Sequence, residues 1–416
     1  MFLLRLAAKN LCRYTRRTII TAVAIAVGIA MYLAVDSMLL GAAAESERNL
    51  RWYETASLRI HTATWWQERL FFPLGGAIEE PEAILALLHD EGYHAVKRTR
   101  FGAELLLGYE EFGEDGYIPV LITAIDTNDD TVYRYGTALE EGRFFQPGEM
   151  DGIVLGSWLA EDIGATIGSS LTVSTRGKGG FFEAFDVQVV GLVNCPNPNV
   201  NRTLVMMDLA AADQYLGMEG AVTNIDILVP ERQDIEAVQR ALASKIGAID
   251  PSVVLLTWKD LAQDYLAIAS SKQGGSALIL FLIFIIAAVG ISNTMLMAMY
   301  ERGTEIAMMR AMGMEENRLQ ASFLVEAGLI GALGSVIGIA LGVLANLYLV
   351  EVGIDLSFML RDLDMGFRIP SVMHGAWSLS SFVIAAIGGT ALSMLSAIIP
   401  VRRALKSPIT TALVRL

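Results

Sequence analysis

Cysteine occurs twice and histidine four times in 416 residues, and only 18% of the chain is charged. Two thiols cannot build a disulfide scaffold. Histidines scattered as His61, His89, His94 and His374 cannot build a rich metal site. A soluble domain usually carries roughly 25% charge, so the shortage argues against both a disordered chain and an ordinary soluble enzyme. Bases are scarcer than acids: 31 Lys and Arg stand against 45 Asp and Glu, a net charge of −14, the wrong sign for a nucleic-acid binder. Catalytic signatures are missing as well. The sequence holds no G-x-x-x-x-G-K-[ST] phosphate loop, no H-E-x-x-H and no G-x-S-x-G elbow. Nothing in it supports covalent, metal or acid–base catalysis.

What the chain has in excess is apolar sequence, 53% of all residues, gathered into four long runs. A bilayer core about 30 Å thick needs roughly 20 apolar helical residues. Lipid offers a free backbone amide no partner, so each run is expected to be a helix. The runs are Thr18 to Gly41, Leu278 to Met299, Ala327 to Val350, and Leu379 to Pro400. The first outruns the 7–15-residue core of a signal peptide, so it reads as an uncleaved anchor although Ala42-Ala43-Ala44 resembles a cleavage site. Cys12, preceded by Asn10-Leu11, does not look like a lipidation site, and Cys12 and Cys195 are expected on opposite sides of the membrane.

Basic residues set the orientation. The leader carries Arg5, Lys9, Arg13, Arg16 and Arg17, and the tail carries Arg402, Arg403, Lys406 and Arg415, with no acid in either. Both termini are therefore expected in the cytoplasm, as an even number of crossings requires. The segment from Ala42 to Gly275 then lies outside, with 35 acids and 17 bases. Asp36 and Glu326 sit near helix ends, where they are expected to reach water rather than relay ions.

The outer segment has a mixed pattern. Strands are expected at Ser57–Thr62, Ile153–Gly156, Ile225–Val229 and Val253–Leu256, with hairpins over Ala103–Ile125 and over Leu171–Thr175 with Phe185–Val193. Helices are expected over Pro81–Glu91, after Gly156, and over Asp234–Ile246. Leu261, Tyr265 and Ile268 fall at helical spacing and predict a stalk leading into the second span. The expected fold is therefore an integral membrane α-helical protein with four transmembrane helices. A large two-lobed α+β extracytoplasmic domain lies between helices 1 and 2. In residue numbers, the leader is 1–17, the spans 18–41, 276–299, 322–350 and 378–400, the outer domain with its stalks 42–275, the inner loop 300–321, the second outer loop 351–377 and the tail 401–416.

The inner loop is the most informative stretch. It runs Glu301-Arg302-Gly303-Thr304-Glu305-Ile306-Ala307-Met308-Met309-Arg310-Ala311-Met312-Gly313 and is helical by periodicity, with Gly313 placed to stop it. A short amphipathic helix with adaptable Met residues suits insertion into a groove on another protein.

This stretch, preceded by Asn293-Thr294-Met295, resembles the signature of the FtsX-like permease family, the membrane subunits of ABC transporters of the MacB and LolC/LolE kind. Ala8-Lys9-Asn10-Leu11, Gly142-Arg143-Phe144 with Val154-Leu155-Gly156, and Pro400-Val401-Arg402-Arg403-Ala404 resemble further family motifs, in order along the whole chain. Ala307 replaces a usual Gly, and Met314 a usual small residue. The resemblance implies a permease that works as a dimer, homo- or heteromeric, above separate ATPase subunits that bind ATP and Mg. This chain itself would carry no cofactor or metal and no catalytic residue. Glu301, Arg302, Glu305, Ile306, Met309, Arg310, Met312 and Gly313 would form the coupling helix that docks on the ATPase.

Gly334, Gly338 and Gly342 repeat a small-x-x-x-small pattern and predict close helix approach, within the subunit or across a dimer. Trp65-Trp66 and Phe71-Phe72 either pack inside the outer domain or meet the bilayer surface or acyl chains. Phe181 and Phe182, at a Gly-rich hairpin tip, are candidate contacts for cargo or for a periplasmic carrier or adaptor, unless the tip is a plain hairpin. In the second outer loop, Phe358, Met359, Leu360, Met365 and Phe367 alternate with charges as a surface-lying segment would. Three functions fit: release of lipoproteins or other hydrophobic cargo, MacB-like export of small amphiphiles or peptides, and FtsX-like mechanical regulation of a cell-wall hydrolase.

Overall fold

In the computed structural model the described residues are 15–107, 116–126, 134–230, 232–263, 265–267, 285, 288–297, 299–355 and 372–405. The leader, most of the second span, the tip at Gly113 to Asp115, the stretch from Phe358 to Phe367 and the tail from Lys406 lie outside them. The chain divides into two compact units. One comprises residues 1–44, 268–358 and 371–416, the other residues 45–267 and 359–370.

The first helix, α1 (Thr15–Leu50), is apolar through the expected first span and continues past it as a polar helix. Ten strands follow: β1 (Leu58–Thr62), β2 (His94–Leu107), β3 (Gly116–Ile125), β4 (Leu139–Gly142), β5 (Gly152–Gly156), β6 (Ser170–Arg176), β7 (Phe182–Val193), β8 (Leu204–Asp208), β9 (Asn224–Leu228) and β10 (Val253–Thr257). Helices α2 (Ala63–Gln67), α3 (Pro81–Asp90), α4 (Ser157–Ile163), α5 (Pro198–Thr203), α6 (Leu209–Leu216), α7 (Ile235–Ile249) and α8 (Trp258–Leu261) punctuate them.

The strands join one sheet in the order β10-β1-β9-β2-β3-β8-β5-β7-β4, with β6 beside β2 and β7. Both expected hairpins form, β2 with β3 up to Leu107 opposite Gly116, and β6 with β7 up to Arg176 opposite Phe182. Pairs β3–β8 and β5–β7 are parallel; α4 lies in the chain between β5 and β7, and α4 and α5 lie in the chain between β3 and β8. Helices α3, α6 and α7 each bury a set of apolar residues. In α7, Val238, Leu242 and Ile246 are buried at four-residue spacing, and Asp234 caps the start by accepting from the Glu236 amide at 3.0 Å. Proline opens α3, where Ile84 and Leu88 are the inward residues. The expected stalk begins as α8, capped by Thr257 and Asp260, and residues 268–284 are not among those described.

Charge is buried in this sheet. Arg59 on β1 donates to both carboxylate oxygens of Asp226 on β9, at 2.5 and 3.3 Å, and Arg98 Nε on β2 lies 3.5 Å from Asp226 Oδ2. Beside them His61 is fully buried, stacked on Trp65 with 3.9 Å between ring centroids, and its Nδ1 donates to the Thr223 carbonyl at 2.9 Å.

Burial, reinforced by the Arg59 charge, pushes the His61 pKa down from 6.5 to about 3. The unfolded imidazole takes up a proton below 6.5 while the folded one stays neutral. The His61 contribution is thus intact above pH 6.5 and drains away as pH falls towards 3. A His61→Gln variant should lose this part of the acid sensitivity. Its unfolding free energy, followed by tryptophan fluorescence, should fall less steeply below pH 6.5, by about 1.4 kcal/mol per pH unit. Equal slopes would refute the assignment.

The other unit contains α9 (Gly303–Ala311), α10 (Glu316–Glu351) and α11 (Leu379–Leu405), with a short β11 (Ile354–Asp355) paired to β12 (Val372–Met373). Three helices among the described residues are long and apolar enough to cross a membrane: the first, the one ending at Glu351, and the one beginning at Leu379.

Candidate functional site

The inner loop folds as its periodicity predicts, and its geometry sorts the expected docking residues into two sets. α9 ends in a Schellman motif. Gly313, at φ +90°, donates to the Arg310 carbonyl at 3.0 Å, and the Met314 amide reaches back to the Met309 carbonyl at 3.1 Å. Met314 is half-buried and packs on the same apolar cluster as Met309, a place a small residue would leave empty.

Ile306 and Ala307 are buried, and Ile306 packs in a cluster with Leu319, Phe323, Val401 and Leu405. Arg302 turns inward as well. It is 3% exposed and donates through Nη1 to both oxygens of Glu326 at 3.0 and 2.9 Å, and through Nε to Glu305 at 3.2 Å. The expectation that Glu326 reaches water from near a helix end is overturned: it is 3% exposed and neutralised by Arg302. Arg310 is tied to its own chain too, donating to the Leu405 carbonyl at 2.9 Å and to Glu316 at 2.6 Å. Arg302 and Arg310 thus hold the loop on α10 and α11.

The outward set is different. Glu301 is exposed, Glu305 half-exposed, and Met308 and Met312 are exposed at 53% and 80%. Glu305, Met308 and Met312 recur at helical spacing, while Glu301 precedes the turn at Arg302. Beside them Met309, Met312, Gly313, Met314, Glu315 and Arg318 line a cleft of about 370 Å³. Met308 is the residue that sequence reasoning passed over; its position between Glu305 and Met312 was the available signal.

The glycine stripe faces α1 of the same chain. A Cβ at Gly334 would stand 2.8 Å from Ile25 Cβ, and one at Gly338 2.8 Å from both Ile29 Cβ and the Ala26 carbonyl. One at Gly342 would collide with Leu33. On another face of α10, Ser393 of α11 donates to the Ala327 carbonyl at 2.8 Å. Asp36 is half-buried and accepts from Ser381 on α11 at 2.5 Å.

In the sheet unit, Trp65 is buried on His61, while Trp66 lies on the surface under the Arg69 guanidinium, 4.4 Å away. Packing therefore accounts for Trp65. It does not account for Leu70 and Phe71, exposed at 81% and 84%, or for Phe181 and Phe182 at the β6–β7 tip, exposed at 77% and 72%. Leu70, Phe71 and Phe182 line one open groove of about 740 Å³, with Phe181 adjoining in sequence. Cys195 is a free, fully buried thiol whose pKa burial raises to about 11, so it is inert.

Comparison with known proteins bears on both units. A family model described as FtsX-like permease C-terminal matches residues 277–409, and one described as MacB-like periplasmic core domain matches residues 18–245, more than half of the chain. An uncharacterised ABC transporter permease of Methanocaldococcus jannaschii is 29% identical over 219 residues, 50% of this chain and 51% of that protein. The lipoprotein-releasing system transmembrane protein LolC of Neisseria meningitidis is 27% identical over 228 residues, 53% of this chain and 54% of LolC. The macrolide export ATP-binding/permease protein MacB of Pasteurella multocida is 23% identical over 247 residues, 56% of this chain and 34% of MacB. The chain thus spans about half the length of the first two of these relatives. The crystal structure of the periplasmic region of MacB from Actinobacillus actinomycetemcomitans superposes with a TM-score of 0.37 at 13% identity, over 52% of this chain and 95% of that one. With an FtsX-like C-terminal region following a MacB-like core, the chain belongs to the MacB/LolC family of ABC transporter permeases.

Proposed function

We propose that this chain is the membrane subunit that couples ATP hydrolysis on a separate ATPase, which holds the ATP and Mg, to movement of its two-lobed outer domain. In this reading it crosses the inner membrane four times with both termini in the cytoplasm. It pairs with a second permease subunit, identical or not, and extracts or exports lipoproteins or other hydrophobic cargo. Similarity to the lipoprotein-releasing protein LolC and the macrolide exporter MacB supports a hydrophobic cargo. MacB-like export of amphiphiles or peptides stays open as the alternative, as does FtsX-like regulation of a hydrolase.

The observation that carries the coupling role is the division of labour in the inner loop. Arg302, Ile306 and Arg310 anchor it, while Met308 and Met312 stand exposed where a partner can reach them. Methionine fills irregular grooves well, and a charge in the centre of such a contact would be buried without a partner. A Met308→Asp/Met312→Asp variant should therefore fold normally but bind the cognate ATPase at least about tenfold more weakly, a loss of some 1.4 kcal/mol or more. Co-purification and ATP turnover of the reconstituted complex measure this. Full assembly and wild-type turnover would remove the docking assignment.

A further inference from the structure

We propose that the groove between Leu70–Leu74 and Arg176–Phe182 binds a single-chain amphiphile with an acidic head group, of the fatty-acid kind. This rests on the reading that the outer domain handles hydrophobic cargo and names the chemistry it would take.

Three features argue for that occupant. The groove measures about 740 Å³, within the usual size of a small-molecule site. Its two lips are separate segments, Leu70-Phe71 before α3 and Phe182 at the start of β7, and each exposes large apolar surface. Its floor is kept low by Gly102 on β2, where an added Cβ would meet nothing within 4 Å.

The charge on the wall selects the head group. In a chain of net −14, the described residues lining the groove include Arg176 and Lys178 against one acid, Glu104. Lys178 is paired with Glu79 at 2.7 Å. Arg176 instead lies with its guanidinium 4.4 Å from the Phe182 ring centroid. A carboxylate or phosphate head at Arg176, with its chain laid along Phe182, Gly102 and Phe71, would satisfy both the charge and the apolar lips. A cationic head would meet like charge there.

The test uses the full chain in phosphatidylcholine nanodiscs and a palmitic acid carrying a photoreactive diazirine in its chain. Crosslinked peptides are identified by mass spectrometry. Label is expected on residues 69–75 and 174–182. Gly102→Phe, which fills the groove from a strand position, should lower that label about tenfold, equivalent to 1.4 kcal/mol of binding. Gly102→Ala should keep most of it and so controls for folding. Arg176→Glu should lower labelling by the fatty acid but not by a probe with a choline head. Label absent from both segments, or unchanged in Gly102→Phe, would overturn the proposal. The Met308→Asp/Met312→Asp variant separates the two readings. Its groove label should persist without coupling, so a lost label beside intact coupling counts against the groove alone.

Discussion

Glu326→Leu is expected to lower the unfolding free energy by about 3–5 kcal/mol and to abolish coupled ATP turnover. The reason is the burial of both partners. Arg302 and Glu326 are 3% exposed each, and the two hydrogen bonds between them are 3.0 and 2.9 Å long. Removing the carboxylate leaves Arg302 under the Phe323 ring, 5.3 Å away, with Glu305 as its nearest remaining acid. Arg302 would then pull towards water and drag the start of α9 with it. The double variant Arg302→Met/Glu326→Leu removes both charges and keeps the volume apolar, so most of the stability should return. Thermal unfolding in detergent and turnover of the complex give the two readouts. A single variant as stable as the parent would refute the inward role assigned to Arg302.

The second large effect is expected at Asp226. Its carboxylate is fully buried and stands between Arg59 and Arg98, each of them 3% exposed or less. Asp226→Ala removes the negative charge that both guanidinium groups face, at a cost of about 3–5 kcal/mol or more. That is a large part of the stability of a domain of this size. The sheet unit should then lose its resistance to protease while the chain is still made. Asp226→Asn, which keeps an acceptor but not the charge, should fall between. A protease-resistant Asp226→Ala protein would show that the arginines are neutralised elsewhere.

Local pattern made much of the fold legible. Alternation located β1, short apolar runs located β5, β9 and β10, and turn residues located both hairpins, because these are properties of neighbouring residues. The same holds for α9, whose Gly313 stop is written in the sequence. Contacts between distant residues were not legible. Glu326 lies 24 residues from Arg302, and its position near a helix end pointed to water when the loop in fact folds back over it. Leu70 and Phe182 are far apart in sequence, so aromatic clusters that read as two separate features line one groove. Asp226 meets Arg59 across 167 residues, a pairing that only the strand order of the sheet creates. The glycine stripe predicted close approach, but choosing α1 as its neighbour required Ile25, Ile29 and Leu33 to be seen against it.

That stripe constrains how the chain can drift. Any change at Gly334, Gly338 or Gly342 adds atoms where Ile25, Ile29, Leu33 and the Ala26 carbonyl already stand. Glycine has no smaller replacement, and a smaller residue on the opposite helix can relieve a clash with a side chain such as Leu33 but not one with the Ala26 backbone carbonyl. Gly342 and Leu33 therefore inherit their sizes jointly, whereas Gly338 has no partner codon that could compensate for its loss.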